Sequence, residues 1–279
     1  MSRVAIATAR GVEDPDNPAL LGALAEIGVA ADVLIWDDSS VRWDDYDLTV
    51  LRSTWDYSLR REEFLTWART VARLENPYAA VEFSSDKIYL ADIESRGVDI
   101  IPSHFCAVGE RPEYFAGDFV VKPRIGAGSR DAVRYHEGDE DAATHHVQGL
   151  HAQGRDVIVQ PYVHSVDTLG ERAVIFIDDE YSHAITKGAM LNVAPEQRDF
   201  MFRRQQVSSV APERDAIETA AGVLDTLGLD ELLYARVDLV ATTSGWLVME
   251  LELVEPCLFL TFDDRAPARL AAGIAARID

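Results

Sequence analysis

Cysteine is nearly absent: Cys106 and Cys257 are the only two in 279 residues. Two thiols in a chain this size build no disulfide scaffold and read as buried thiols in a reducing compartment. Basic charge is also short, with 26 Lys and Arg against 48 Asp and Glu and a net charge of -22. That balance excludes general affinity for nucleic acid or an anionic membrane surface, since both need clustered basic residues. A small anionic ligand stays allowed if a few basic residues and a divalent metal neutralise it locally. No apolar run approaches the roughly twenty residues that span a bilayer. The run in "MSRVAIATARG" is too short for a signal peptide and is closed by Arg10, so a cytoplasmic protein is expected. The glycine fingerprint of a dinucleotide-dependent oxidoreductase is missing, because "VAIATARGVEDPDN" offers only Gly11. There is no GxSxG and no base beside either cysteine, which excludes covalent hydrolase chemistry.

What is present is an ordinary globular composition, 48% apolar and 27% charged, long enough for more than one core. "VAIATA", "AADVLIW" and "YDLTVLR" read as continuously apolar strands of a covered parallel sheet. Asn17 as cap with Pro18 behind it, and Gly28 as stop, predict the first helix. "REEFLTWARTVARL" predicts an amphipathic helix with Phe64, Trp67, Ala68, Val71 and Leu74 on one face. "ENPYAAVEFSSD" reads as a loop before a helix from about Asp86 to Arg96. Further on, the spacing predicts a hairpin cornered at Asp178-Asp179, a helix stopped by Gly228, a strand pair turned at Ser244-Gly245 and a closing helix with Pro267 in its first turn. The expected fold class is α/β plus α+β. A parallel-sheet domain covers about 1–80, a small mixed piece about 81–159 and an α+β piece about 160–279.

The chemistry concentrates in a few stretches. "VMELELVEP" places Glu250 and Glu252 two residues apart on a strand, pointing the same way. A hairpin with "YARVDLV" sets Asp238 opposite the neighbourhood of Glu250. Three such carboxylates repel unless their pKa values shift or a cation joins them. Oxygen ligands without His or Cys favour Mg²⁺ or Mn²⁺ over zinc. The alternative is pairing with bases such as Arg172 and Arg236, and Arg236 either partners Asp238 or grips a substrate anion. In "VVKPRIGAGSRDAV", Lys122 ends a strand ahead of Gly126, Gly128 and Ser129, whose backbone amides can approach a phosphate; a plain β-turn is the competing reading. Lys87 in "SSDKIYL" taken alone reads as a surface lysine, but lysine is scarce, so Lys87 and Lys187 in "AITKG" join Lys122 as phosphate candidates. His145, His146 and His151 read as a solvated helix face and His183 as packing. Arg52 at a strand end, with Trp55, Asp56, Tyr57 and Arg60, suits a zwitterionic substrate. Pairing of Arg52 with Asp56, the rings plugging a domain interface, is the structural alternative.

Taken in order, Lys87, "VVKPRIGAGS", "VIVQPYV", "GERAVIFIDDEYSHAITKG", "YARVDLV" and "VMELELVEP" resemble the ATP-grasp superfamily of ligases. The resemblance implies a pre-ATP-grasp parallel-sheet domain followed by a two-part fold that holds ATP. It implies that Lys87 and Lys122 contact nucleotide phosphates under a loop at Gly126, Gly128 and Ser129. Gln160, Tyr162 and Val163 then face the adenine, and Glu171 holds the ribose hydroxyls or braces that region. Arg172, Lys187 and Arg236 surround the transferred phosphoryl and the substrate carboxylate. Asp238, Glu250 and Glu252 resemble the magnesium ligands, although the usual superfamily ending is Glu-x-Asn rather than Glu-x-Glu. Glu255 lies beyond the metal pair, toward an acceptor amine or an arginine. "WDDSSVRWDDYDLTVLRSTWDYSLRREEFLTWA", "NPYAAVEFSSDKIYL" and "LELVEPCLFL" are similar to a branch that includes the cyclo-ligase closing O-ureido-D-serine to D-cycloserine. The implied activity is carboxylate activation as an acyl phosphate on a small amino-acid-like substrate, with ATP and Mg²⁺. Intramolecular ring closure, intermolecular amide formation and a non-catalytic nucleotide-binding protein all stay open, as does the oligomeric state, a homo-oligomer included.

Overall fold

In the computed structural model, which describes residues 2–191, 207–229 and 231–278, three sheets organise the chain. The first holds β1 (Arg3–Thr8), β2 (Ala30–Ile35), β3 (Leu48–Ser53) and β4 (Leu74–Glu75), all parallel, in the order β2-β1-β3-β4. Its strands lack alternation because both faces are covered. Val4, Ile6 and Val50 meet α1 (Asn17–Glu26), while Ala7 and Leu51 meet Phe64, Leu65 and Ala68 of α2 (Arg61–Thr70).

Local expectations shift here in three places. The residue ahead of α1 is Asp16 rather than Asn17, and its carboxylate accepts the amides of Leu258 and Leu260 instead of capping its own helix. α2 ends at Thr70, and Leu74 reaches the same apolar cluster from β4. The expected loop around "NPYAAVEFS" contains α3 (Tyr78–Ser84), two turns whose Ala80 and Val81 are buried; so short a helix leaves little periodic signal. It is followed by α4 (Tyr89–Ser95).

The second sheet is antiparallel, ordered β5-β8-β6-β7, from β5 (His104–Cys106), β6 (Phe119–Pro123), β7 (Val133–Tyr135) and β8 (Val157–Pro161). Between β7 and β8, α5 (Glu140–His151) packs on it through Ala143, Val147 and Leu150. A short α6 (Val166–Leu169) leads into the third sheet, also antiparallel. It contains β9 (Glu171–Ile177), β10 (Glu180–Lys187), β11 (Val207–Ser209), β12 (Tyr234–Thr242) and β13 (Gly245–Glu252), ordered β11-β10-β9-β12-β13. Asp178 and Asp179 turn the β9–β10 corner with φ of 56° and 59°. α7 (Arg214–Leu227) stops at Gly228 in the left-handed region, where glycine carries no side-chain clash. α8 (Ala266–Ala276) returns to pack on α1, so the last helix completes the core of the first sheet. No helix among the described residues is long and apolar enough to cross a membrane.

One buried side chain joins the first and third sheets. Asn76 is fully buried; its amide nitrogen donates to the carbonyls of Tyr234 and Leu253, both at 2.8 Å. Its oxygen accepts from the amides of Leu233 and Tyr234. Asn76→Ala strands four backbone groups, so a loss of about 3 kcal/mol in unfolding free energy is expected, read by urea denaturation.

Candidate active site

The antiparallel register of β12 and β13 builds an acidic edge. Asp238 lies directly opposite Glu250 and Arg236 opposite Glu252. Carboxylate oxygens of Asp238, Glu250 and Glu252 all come within 4.8 Å of one another. The sequence expectation that these three converge therefore holds, and so does its alternative, for bases face each of them. Asp238, 1% exposed, takes Arg236 through both oxygens (2.9 and 3.0 Å) and Lys187 at 2.6 Å. Glu250 pairs with Lys87 at 3.0 Å, and Glu252 with Arg236.

Electrostatics follow from burial set against these pairs. Burial alone would raise the Asp238 carboxyl, but Arg236 and Lys187 hold it below the ordinary carboxylate range. Lys87 and Lys122 do the same for Glu250. Glu252 is pushed up to about 7 by burial and by the carboxylates of Glu250 and Asp238, which outweigh Arg236 and the weaker pull of Lys187.

All three lysines of the chain line one cleft, together with Glu250 and Glu252. In a protein with so large an acidic excess, that convergence marks an anion site. Lys87 donates to the carbonyl of Gly126 at 2.6 Å, and Lys187 bridges Glu171 (2.9 Å) and Asp238. Gly170 lets the chain pass close to the Lys187 backbone: a Cβ there would lie 2.6 Å from the Lys187 carbonyl oxygen, and its φ is +69°. Lys122, on β6, differs. Among the described residues its ammonium has no hydrogen-bond or ion-pair partner, and burial lowers it to about 8 despite the pull of Glu250. Gly126, Gly128 and Ser129, between β6 and β7, line the cleft; Gly128 and Ser129 take φ of 62° and 56°, in the left-handed region.

Another part of the cleft wall is largely apolar. Gln160 and Tyr162 line it. The Gln160 amide nitrogen is committed to Ser103 Oγ at 2.8 Å, and the Tyr162 amide to the Asp118 carbonyl. Val163 packs with Ile101, Val166 and Met249, and the last three line the cleft. These apolar walls, with Val120, Met190, Leu191 and the loop residue Arg130, were not legible in the sequence. Apolar residues lining a cleft carry no motif; only tertiary packing brings them together. The histidines stay outside the acidic cluster, and His183 packs between Ser182 Oγ and the Leu258 carbonyl.

Arg172 is not brought to the site. Strand alternation turns it to the far face of β9, where it pairs with Glu213 at 3.1 Å and lies over Trp246. Arg52 departs as well. It is fully buried and its guanidinium holds Asp16 (3.2 Å), Asp14 (3.6 Å) and the Pro256 carbonyl, so it does not face an open ligand space. Nor does it pair with Asp56, which accepts from Trp36 Nε1 and from Arg60. Arg60 is shared further with Asp37 and stacks on Trp36. Tyr57 is a core residue beside Phe64, and Trp55 donates to the Glu255 carbonyl. The group expected to meet substrate thus mainly stitches the first domain and the strand end together.

The same architecture occurs in D-alanine–D-alanine ligase from Bacillus anthracis complexed with ATP, with a TM-score of 0.70, 13% identity and coverage of 100% and 97% of the two chains. ATP-grasp ligase PsnB complexed with a minimal-precursor variant, Mg and ADP superposes with a TM-score of 0.63 at 15% identity over 99% and 98%. At those identities only the fold is shared, and it is the ATP-grasp fold. A much closer likeness is found in the crystal structure of D-cycloserine synthetase DcsG, with a TM-score of 0.89, 37% identity and full coverage of both chains. The cycloserine biosynthesis protein DcsG of Streptomyces lavendulae is 39% identical over 95% of this chain and 94% of that protein, and residues 4–76 match the D-cycloserine synthetase DcsG N-terminal domain. The chain is an ATP-grasp ligase. It belongs, within that superfamily, to the DcsG family.

Proposed function

We propose that the cleft binds ATP and closes a small amino-acid-like substrate onto itself, converting O-ureido-D-serine to D-cycloserine. The observation that carries the ligase chemistry is the convergence of every lysine in the chain on the acidic β12–β13 edge. The ring-closing specificity is supported by likeness to the DcsG proteins across nearly the whole chain.

An oxygen-only donor set of Asp238, Glu250 and Glu252 fits Mg²⁺, with Mn²⁺ as substitute. Such an ion, when bound, supplies charge neutralisation for the β- and γ-phosphates. Lys122 and Lys87 take phosphate oxygens, and the loop from Gly126 to Ser129 closes over them, keeping water from the activated carboxyl. Val163 and Gln160 border the adenine and Glu171 the ribose. Arg236 and Lys187 offset charge as the phosphoryl passes to the substrate carboxylate, forming an acyl phosphate. The aminooxy nitrogen of the same molecule then displaces phosphate. Hydrolysis of the ureido carbonyl releases ammonia and carbon dioxide. No side-chain nucleophile is needed.

Incubation with ATP, MgCl₂ and O-ureido-D-serine should give equal amounts of ADP, phosphate and D-cycloserine by mass spectrometry. A product joined from two amino acids would replace ring closure with intermolecular ligation. ATP binding without phosphate release across a panel of D- and L-amino acids would make the protein a nucleotide binder.

A further inference from the structure

The chain after β13 is held at four consecutive carbonyls. Tyr234 Oη shares its one proton between the carbonyls of Leu51 (2.7 Å) and Val254 (2.9 Å), Trp55 Nε1 donates to Glu255 (3.1 Å), an Arg52 nitrogen to Pro256 (3.1 Å) and an Arg236 nitrogen to Cys257 (3.0 Å). Asp16 then accepts the amides of Leu258 and Leu260. Donors from the first sheet, the turn behind it and β12 therefore fix the backbone on both sides of Glu255.

Its side chain is treated differently. Glu255 is 7% exposed, yet among the described residues its carboxyl has no hydrogen-bond donor and no cation at ion-pair distance. The neighbouring acidic side chains of the site each have a base: Glu171 and Asp238 have Lys187, Glu250 has Lys87 and Glu252 has Arg236. Around Glu255 the charged groups are Glu252, Lys87, Glu250 and Arg236, all of which line the cleft, and Tyr57 approaches from the first domain. Burial and the adjoining Glu252 hold its carboxyl well above the ordinary range, with Lys87 and Arg236 too weakly placed to reverse this. A buried carboxyl held rigidly without a partner costs stability, and such a cost persists where a ligand later meets it.

We propose that Glu255 receives the free amino group of the substrate, so that the ligase selects amino acids with an unacylated α-nitrogen. This rests on the ligase reading above. The reasoning is one of chemical complementarity: phosphates and the substrate carboxylate are served by lysine and arginine, and an ammonium is the ligand group that draws a carboxyl with no base of its own into the ionised form.

The test uses the whole protein, with O-ureido-D-serine and its N-acetyl derivative as probes. Wild type should prefer the free amine by at least about 100-fold in kcat/KM, and Glu255→Gln should lower kcat/KM for the free amine about 30-fold without changing the N-acetyl value. ATP affinity by calorimetry should stay within about twofold, and the ligand-free variant should melt at the wild-type temperature or above it. Unchanged discrimination in Glu255→Gln, with ATP bound, would overturn the Glu255 assignment alone. Equal loss on both substrates with a lower melting temperature would also overturn it, marking a structural residue; Glu255→Ala, which removes the carboxyl without leaving an amide, must agree. Failure of the wild type to bind ATP would remove the ligase reading first and this assignment with it.

Discussion

Glu250→Gln lowers kcat about 1,000-fold at saturating ATP, measured as phosphate release in MgCl₂ with melting temperature as the folding control. The substitution keeps shape and removes one charge. In the native site that charge balances two ammonium groups, Lys87 at 3.0 Å and Lys122 more distantly, and these keep the carboxylate ionised despite burial. It also completes the three-carboxylate set on the β12–β13 edge. With the amide, Asp238 is the only member left ionised well below neutrality, and it is already occupied by Arg236 and Lys187. Because the missing charge matters most where phosphoryl charge spreads, kcat should fall more than ATP affinity. Turnover within a few-fold of wild type would sink the metal-holding role of Glu250 and turn the acidic edge into a salt-bridge ladder.

Lys122→Met should lower kcat/KM for ATP about 300-fold and abolish the alkaline limb of its pH profile. Among the described residues Lys122 is the lysine at the cleft without a partner, so it is the ammonium that meets a ligand without first breaking an ion pair. Its pKa is depressed to about 8, by burial and by Lys87. The sign follows: below pH 8 the group is charged and binds phosphate, and as pH rises through 8 it becomes neutral and ATP affinity falls. Phosphate oxygens favour the charged form, so binding near and above pH 8 should take up a proton, read by calorimetry in buffers of different ionisation enthalpy. Since methionine replaces an unpaired buried ammonium, the ligand-free variant should melt no lower than wild type. An unchanged alkaline limb in the variant would assign that limb elsewhere.

The turn at Ser244-Gly245 would by itself pair Asp238 with Met249; a bulge between Asp238 and Leu239, which no motif announces, shifts the register by one and sets Asp238 opposite Glu250. The rest of the acidic edge was legible because strand geometry is local, a two-residue period aligning Glu250 with Glu252. The same simplicity made the parallel strands and the Asp178-Asp179 corner legible. Arg172 shows the limit. It sits next to Glu171, which does line the cleft, and one step along a strand reverses the face. Arg52 shows a second limit: its place at a strand end suggested a ligand crevice, but Asp14 and Asp16, some forty residues away, were already waiting for it.

By itself, the sequence determined what kinds of groups exist in this protein: a handful of lysines in an acidic chain, oxygen ligands without histidine, and a small-residue loop behind a strand-end lysine. Residue type and local period set those, and neither requires the fold. Tertiary structure alone decided which charges are already paired. Arg52 is used up by Asp14, Asp16 and the Pro256 carbonyl and Arg60 by Asp37 and Asp56, Lys187 is shared between Glu171 and Asp238, and among the described residues Lys122 at the cleft and Glu255 beside the cleft's charged groups are left unmatched. Pairing depends on distances between segments far apart in the chain, and it is the unmatched charge under burial that is available to a ligand.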